Sequence, residues 1–315
     1  MSVRRLSEVV DGRPVFRDAI GVLQSWNDHG LTVVPRSGES VTFPEDLLVA
    51  GKAVPLFPAR RAPLPEVSPT ELQRIAAAGW PAVEQQPLGG WTLRASAGFT
   101  RRANSVQALG DPGMPLPAAL DAVRAWYAAR GLPGYVEVVT PGSPAGLAAE
   151  LERDGAALAP TQVRLAPLAA LAALAREPQA VRLSRTADAG WLSLYRRVTG
   201  DAEVERAARQ VLHGGPSVWF AAVPGAVPGA PPLAIGRLTV HGAWACFGAV
   251  EVAPAARRRG LATTVMAVLA ARAAEEGARG GFLQVEAEND AALALYDRLG
   301  FTTSHTYHYA RLSQR

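Results

Sequence analysis

Residues Arg257 to Ala262 read Arg-Arg-Arg-Gly-Leu-Ala and fit the pattern Arg/Gln-x-x-Gly-x-Gly/Ala, with Arg257 first, Gly260 in the glycine place and Ala262 last. An apolar run, Ala243 to Val252, precedes them, and an apolar-periodic segment, Leu261 to Glu276, follows. A strand, a short glycine-containing loop and a helix N-terminus make a site for a phosphate-bearing ligand. The first N–H groups of the helix have no carbonyl of their own, and the helix dipole favours negative charge there. The backbone N–H groups of about Arg258, Arg259, Gly260, Leu261, Ala262 and Thr263 are expected to hold the phosphates. Gly260 lets the chain come close, and Ala262 keeps the first turn slim. Among the side chains the pattern favours Arg257, while Arg258 and Arg259 stay open between ligand and solvent.

A second constellation follows. After a run from Phe282 to Ala287 come Asn289, Ala292, Tyr296, Gly300 and Phe301, spaced as Asn-x-x-Ala-x-x-x-Tyr-x-x-x-Gly-Phe. With the loop before it, this order resembles the GNAT N-acetyltransferase superfamily over roughly residues 180 to 315. The resemblance implies an acetyl-CoA-dependent N-acetyltransferase (an acyltransferase) in which Arg257 to Ala262 take the pyrophosphate and Asn289 and Ala292 belong to a second cofactor motif. It also implies a pantetheine arm laid like an added strand beside Val250 to Val252, and a free N–H near Val250 that polarises the thioester carbonyl. Tyr296 matches the family's general acid, which protonates the CoA thiolate.

Each residue also has a plainer reading. Asn289 is a good N-cap before Asp290, and Tyr296 lies on an ordinary inward stripe with Leu293 and Leu299. Gly248 marks a bulge or simply packs under a bulky neighbour. Some family members carry a basic glutamate on the strand before the loop, where this chain has Trp244, Cys246 or Gly248. The candidate bases are therefore Glu251 and Glu286, direct or through water, with Glu288 and His241 behind them and plain rim carboxylates as the alternative. Cys246 has no visible activating partner and reads as core. His308 lines an acceptor pocket or sits on a half-buried edge strand. Arg101 and Arg102 touch substrate or the CoA 3′-phosphate, or face solvent on a loop.

The elements that must position these groups give an α/β (α+β) fold: tandem GNAT-like mixed sheets flanked by helices, preceded by a small SH3-like β-barrel. Residues 1–58 read as the barrel, with strands Ala19 to Trp26, Leu31 to Pro35 and Ser40 to Phe43 between turns at Asn27 to Gly30 and Arg36 to Glu39. Residues 59–79 form a proline-rich linker, from Pro55 to Pro69, and a short helix, Thr70 to Gly79. Residues 80–178 read as a degenerate GNAT-like lobe. Its expected elements are strands Gly90 to Ala95 and Asn104 to Leu109, helix Leu116 to Arg130, strand Tyr135 to Thr140, helix Pro144 to Asp154 and strand Gln162 to Leu165. Only Thr140 to Pro144 stands where a phosphate loop is expected, so one cofactor site per chain follows. An alanine-rich connector, Ala166 to Glu177, leads to residues 179–315, the catalytic domain. That domain reads as strand Val181 to Leu183, helices Ala187 to Val198 and Asp201 to Leu212, and strands Ser217 to Val223 and Leu233 to Val240 around a Pro/Gly/Ala loop. The motif region closes it, with helix Asp290 to Leu299 and a last strand near Thr306 to Leu312.

Composition bounds the rest. The chain has 315 residues, 49% of them hydrophobic, with 30 glycines and 25 prolines, which is globular material with many breaks. One cysteine excludes an internal disulfide, and five scattered histidines argue against a zinc site, so no metal is expected. No secretory signal and no membrane-spanning run is seen, and a cytoplasmic protein is expected. The net charge of +4 comes almost wholly from arginine, Lys52 being the single lysine, as coding bias toward Arg, Ala, Gly and Pro would give. The expected partners are acetyl-CoA and an amine acceptor, either a small molecule or a protein amine. A homodimer is left open. Two alternatives remain: a CoA-sensing or partner-binding protein without turnover, and a nucleic-acid-associated protein using the barrel and arginines, for which sequence order shows no clustered basic face.

Overall fold

Aspartate followed by glycine sets the first turn. Asp11 and Gly12 both take left-handed φ (48° and 72°), the two-residue hairpin geometry that this pair favours. The turn joins β1 (Ser2–Val10) to β2 (Arg13–Asn27), and β3 (Gly30–Pro35), β4 (Val41–Phe43) and β5 (Leu48–Lys52) follow. All pairings are antiparallel, in the order β4-β3-β2-β1-β5, and a 3-10 turn at Glu45–Leu47 leads into β5. Val3, Ala19, Leu31, Val33 and Phe43 form the core of this unit, Met1–Ala62. Strand β1 was not expected from sequence; its two arginines mask the alternation, although Asp11–Gly12 is a hairpin signal.

The computed structural model describes residues 1–28, 30–35, 38–52, 64–175, 180–198, 201–227 and 229–313, and of 154–156 the backbone only. The expected proline-rich linker therefore lies outside the described residues through position 63, as do His29 and Arg36–Ser37 of the expected turns, Arg176–Glu177 at the end of the alanine-rich connector, and Pro228.

Residues Pro63–Arg315 form a second compact unit. It opens with α1 (Pro69–Gly79), capped by Ser68, whose hydroxyl accepts from the Glu71 N–H at 3.1 Å. Then come β6 (Glu84–Leu88), β7 (Trp91–Ala95), β8 (Val106–Gln107), α2 (Leu116–Ala128), β9 (Tyr135–Thr140), α3 (Leu147–Asp154), β10 (Gly155–Ala157), β11 (Thr161–Pro167) and α4 (Leu168–Ala172). The second run is β12 (Arg182–Ser184), α5 (Ala189–Leu194), α6 (Ala202–His213), β13 (Val218–Val223), β14 (Ala234–His241), β15 (Trp244–Val252), α7 (Leu261–Glu275), β16 (Gly280–Glu286), α8 (Asp290–Arg298) and β17 (Thr302–Leu312). Strand β6 was not expected, because its exposed Glu-Gln-Gln-Pro carries no apolar period; it is an edge strand, where proline is tolerated. The expected alanine-rich connector begins as the end of β11 and α4, and α4 packs on α7. This second cover explains why α7 is apolar nearly all round. Helix α5 is shorter than expected, capped by Asp188 and ended at Tyr195.

The two expected sheets are one sheet, in the order β12-β13-β14-β15-β16-β11-β17-β9-β8-β7-β6. Each half contains a parallel pair with a helix between its strands, β8–α2–β9 and β15–α7–β16. The halves share strands: β11, which precedes position 178, lies between β16 and β17, and β17 pairs in turn with β9. The expected boundary at 178 therefore divides the sequence and not the sheet.

By topology the counterpart of the phosphate loop in the first half is the segment after β8, residues 108–115, and not Thr140 to Pro144, which follow β9. Asp111 folds that segment back on itself: its Oδ1 accepts from the Gly113 N–H at 2.8 Å and its carbonyl from the Gly90 N–H at 2.6 Å. Pro115 caps α2 and Pro117 lies in its first turn, so two donors that an anion would need are absent. A carboxylate and two prolines make this end of α2 a poor anion site.

The first half is stiffened by a buried ion pair. Arg94 Nη2 donates to Glu137 Oε2 at 2.8 Å, both side chains being 2% exposed, and Arg94 also donates to the Ser105 carbonyl and hydroxyl. Glu137→Ala would leave that cation buried without its counter-charge and should destabilise the protein by about 3–5 kcal/mol. Glu150→Ala, which breaks the exposed pair with Arg153, should cost under ~1 kcal/mol. Denaturation midpoints of the two variants check this, and equal shifts would contradict it.

Candidate functional site

Strands β15 and β16 run parallel and paired from Trp244 opposite Gly280 to Phe247 opposite Leu283, and no further. The cause is a bulge in β15. Arg237 of β14 faces Gly248 while Ile235 faces Glu251, so the segment Ala249–Val250 carries one residue too many opposite Gly236. Ala249 takes φ 49°, a left-handed conformation that costs an L-residue roughly 1–2 kcal/mol. Of the two readings of Gly248, packing under a bulky neighbour does not hold, since a Cβ there would meet nothing within 4 Å, and the left-handed residue of the bulge is its neighbour Ala249. Gly236 is needed beneath it, since a Cβ there would lie 2.6 Å from Val265 Cγ1 of α7. Beyond the bulge β15 stays with β14, and Gln284 to Glu286 of β16 stay with β11. A wedge opens between the two strands. Ala253 donates its N–H to the Leu233 carbonyl at 2.9 Å. Strand alternation then turns the N–H and C=O groups of Val252 and Val250 toward the wedge.

The loop that follows is anchored by buried Ala256 in a 3-10 turn, Pro254–Ala256, while Arg257 to Gly260 are exposed. Arg258 (φ 63°) and Gly260 (φ 77°) are both left-handed. Gly260 is the N-cap of the fifteen-residue helix α7, and no side chain caps it. The first helical bond is Thr264 N–H to the Gly260 carbonyl at 3.0 Å. The N–H groups of Arg258, Arg259, Gly260, Leu261, Ala262 and Thr263 have no acceptor among the described residues. Six successive donors at a helix N-terminus, curled by two left-handed residues, suit a diphosphate. A Cβ at Gly260 would meet nothing within 4 Å, so its backbone angle, not crowding by the protein, demands glycine. The side chains of Arg257, Arg258 and Arg259 enter no ion pair among the described residues, and nothing singles out Arg257.

Helix α8 closes the other side of the wedge. Asn289 is its N-cap, Oδ1 accepting from the Ala292 N–H at 3.1 Å. Half-buried Ala292 and Tyr296 pack on the same core as Val250, Val252 and Leu261. The Tyr296 ring meets Phe301 edge-on at 5.8 Å, and its hydroxyl has no hydrogen-bond partner among the described residues. Burial pushes its pKa up to about 12, so the phenol keeps its proton at neutral pH. The first half of the unit braces this helix: Arg164 of β11 donates to Asp297 and, at 2.7 Å, to the Phe301 carbonyl.

On the opposite face of the sheet, past the bulge, Ala249 and Ala253 pack with Trp80, Phe99, Trp191 and Tyr195. Glu251 belongs to the same side of the strand by alternation. Burial raises its carboxyl pKa, against the pull of Arg197 and Arg196. Glu286 is exposed at the end of β16 and Glu288 is exposed beyond it. His241 lies at the β14–β15 hairpin, the far end of both strands from the wedge. His308 is on neither side of the wedge: it lines a groove with Ala148, Leu151 and Glu152 on the α3 side of β17. Nor is β17 an edge strand, for β11 and β9 flank it. Cys246 is half-buried, and desolvation raises its thiol pKa against the opposing charges of Arg102 and Arg237, so it stays protonated. The same face holds Tyr307 and Tyr309, which sequence reading did not single out although their period-2 alternation away from His308 was visible. Arg101 is exposed, whereas Arg102 turns inward over the Trp80 ring at 5.2 Å.

Among the described residues no three His, Cys, Asp or Glu side chains converge as metal ligands, and no helix is long and apolar enough to cross a membrane. The model of the family described as "Probable histone acetyltransferase Rv0428c C-terminal" matches residues 70–310. A Bacillus subtilis protein described as "Uncharacterized N-acetyltransferase YobR" is 30% identical over 255 residues, 76% of this chain and 96% of its own length. Rv0428c of Mycobacterium tuberculosis, described as a probable histone acetyltransferase, is 32% identical over 130 residues, which are 40% of this chain and 39% of that protein. Among solved structures, a GCN5-related N-acetyltransferase from Kribbella flavida superposes with a TM-score of 0.56 at 19% identity, over 78% of this chain and 96% of that one. A tandem GNAT protein from the clavulanic acid biosynthesis pathway gives 0.52 at 16% identity, over 67% and 76%. The two structures speak for the fold, and the family match and the Bacillus relative for descent: the chain belongs to the GNAT family of acetyltransferases, in the branch described by the Rv0428c C-terminal model.

Proposed function

We propose that this protein is an acetyl-CoA-dependent N-acetyltransferase in which an acceptor amine attacks the thioester directly. The observation that carries the proposal is the row of six unbonded N–H groups, Arg258 to Thr263, next to the open edge of β15. The N–H row would hold the pyrophosphate, and the edge at Val250 and Val252 would hydrogen-bond the pantetheine amides as an added strand does. Bound there, the cofactor supplies an acetyl thioester. An N–H at the bulge, at Val250, is the donor for the carbonyl oxygen as negative charge gathers on it.

Glu251 is the base of choice over Glu286. It is half-buried on the side of the bulge away from α7, with a carboxyl whose proton affinity burial has raised, while Glu286 is solvated. Glu251 takes a proton from the acceptor ammonium, directly or through water. Tyr296, kept protonated by burial, gives its proton to the departing sulfur. The acceptor enters from the face that holds Glu251, and the cofactor edge lies between it and α8.

Four outcomes check this assignment. Tyr296→Phe should lower kcat on the order of 10²-fold while the Kd for CoA, read by calorimetry, stays within about twofold; an unchanged kcat contradicts the role. The kcat of the wild-type enzyme should rise with pH through a limb above the ordinary carboxylate range, since Glu251 must lose a proton that burial holds. Glu251→Gln should erase that limb and lower kcat by on the order of 10²-fold, whereas a surviving limb assigns the base elsewhere. Gly260→Val, forced into a left-handed φ, should weaken CoA binding about tenfold, against about twofold for Arg259→Ala. The reverse ranking would make this an arginine site.

A further inference from the structure

Arg102 is a cation without a counter-charge on the acceptor face. It lies in a one-turn 3-10 segment, Arg101–Ala103, between β7 and β8. That loop is held rigidly. Buried Asn104 accepts from the Ser96 and Gly98 N–H groups at 2.8 and 2.9 Å and donates to the Phe99 and Thr100 carbonyls at 2.7 and 2.9 Å. Trp80 ties the loop to α1, its Nε1 donating to Thr100 Oγ1 at 3.1 Å and its ring stacking on Phe99. The Arg102 guanidinium rests over the Trp80 ring and has Tyr195, Cys246, Tyr307 and Tyr309 as electrostatic neighbours. It makes no hydrogen bond or ion pair with any described residue.

The charges around it are already committed. Arg237, also over Trp80 at 4.8 Å, directs its donors to the carbonyls of Leu212, Gly79 and Gly214, at the C-terminal ends of α6 and α1. Glu137 is bound to Arg94 and Gln107. Two further carboxylates belong to this face: half-buried Glu251, beside Arg196 and Arg197, and exposed Glu286, which alternates with Phe282 and Gln284 along β16. The hydroxyl of Arg102's neighbour Tyr309, a residue 5% exposed, has no hydrogen-bond partner among the described residues. Directly at the wedge, a Cβ on Gly248 would meet nothing within 4 Å.

We infer that Arg102 is the recognition point for a carboxylate carried by the acceptor, so that the acceptor is a small amine bearing a carboxylate, such as an amino acid, and not a lysine-rich peptide. A guanidinium presents paired N–H groups that match a carboxylate, and stacking on Trp80 holds the fork in orientation. An unpaired guanidinium at this point attracts a carboxylate and disfavours a second cation. The inference rests on the acetyltransferase reading, and binding and turnover separate the two.

The test uses the full-length wild-type protein and the variants Arg102→Gln and Arg102→Lys, with Arg101→Gln as a control at the exposed neighbour. Acetyl-CoA consumption is measured with L-amino acids, their primary amides and a lysine-rich peptide, and binding of N-acetyl amino acids and their amides by calorimetry. Wild type should favour acids over amides by about tenfold or more in kcat/KM. Arg102→Gln should remove that preference by raising KM for the acids, leaving the amides and the KM for acetyl-CoA unchanged, and Arg102→Lys should restore part of it. Arg101→Gln should behave as wild type. Arg102-dependent binding of the N-acetyl acids without turnover of any acceptor supports the carboxylate site and overturns the acetyltransferase reading. Turnover with equal rates for acids and amides, an Arg102→Gln effect that is the same for both, or a preference for the basic peptide overturns the inference.

Discussion

The separation of β15 from β16 at Phe247 is the constraint on which the rest of the site depends. Two parallel strands that stayed paired would satisfy each other's N–H and C=O groups and leave no edge for a ligand. The extra residue at Ala249–Val250 prevents this. It does three things at once. It turns the backbone groups of Val250 and Val252 outward, aims the chain at the loop that starts α7, and places Glu251 on the face opposite that helix. The cost is one alanine in a left-handed conformation, held in place because α7 packs against the backbone of Gly236 directly beneath.

Strand exchange supplies the rigidity such an opening needs. A sheet that loses pairing in its middle is weak there unless its outer strands are held. Here β11, inserted from the first half, pairs β16 along its length and sends Arg164 to α8. The first half therefore supports the second's wedge without an evident anion site of its own, since Asp111, Pro115 and Pro117 occupy the corresponding loop and helix start. It also contributes Trp80, Phe99 and Arg102 to the face proposed for the acceptor. Its part is to brace one wall and to furnish another.

How much could be read from the residues follows from how local each feature is. The loop at Arg257 to Ala262, the Asn289 cap and the α8 stripe are set within a turn or two of the chain, so their residue types and spacing are enough to mark them. The bulge is not legible in the same way, because Ala249 is an ordinary residue in an unusual angle, and the residue type that favours such angles is its neighbour, Gly248. The single continuous sheet was hidden because it depends on strands far apart in sequence, and β6 and β1 were hidden because polar or charged residues break their alternation. Arg102 was visible as part of an arginine pair in a loop. Its inward turn depends on Asn104 and Trp80, which only the folded chain brings to it.

The central claim is that backbone donors, more than arginine side chains, hold the cofactor. Hydrogen–deuterium exchange with and without CoA reads those donors directly. The amides of Arg258 to Thr263 and of Val250 to Val252 should become protected on binding, with the corresponding segment at 108–115 unchanged. CoA binding that leaves the 258–263 amides exchanging as before would contradict the account.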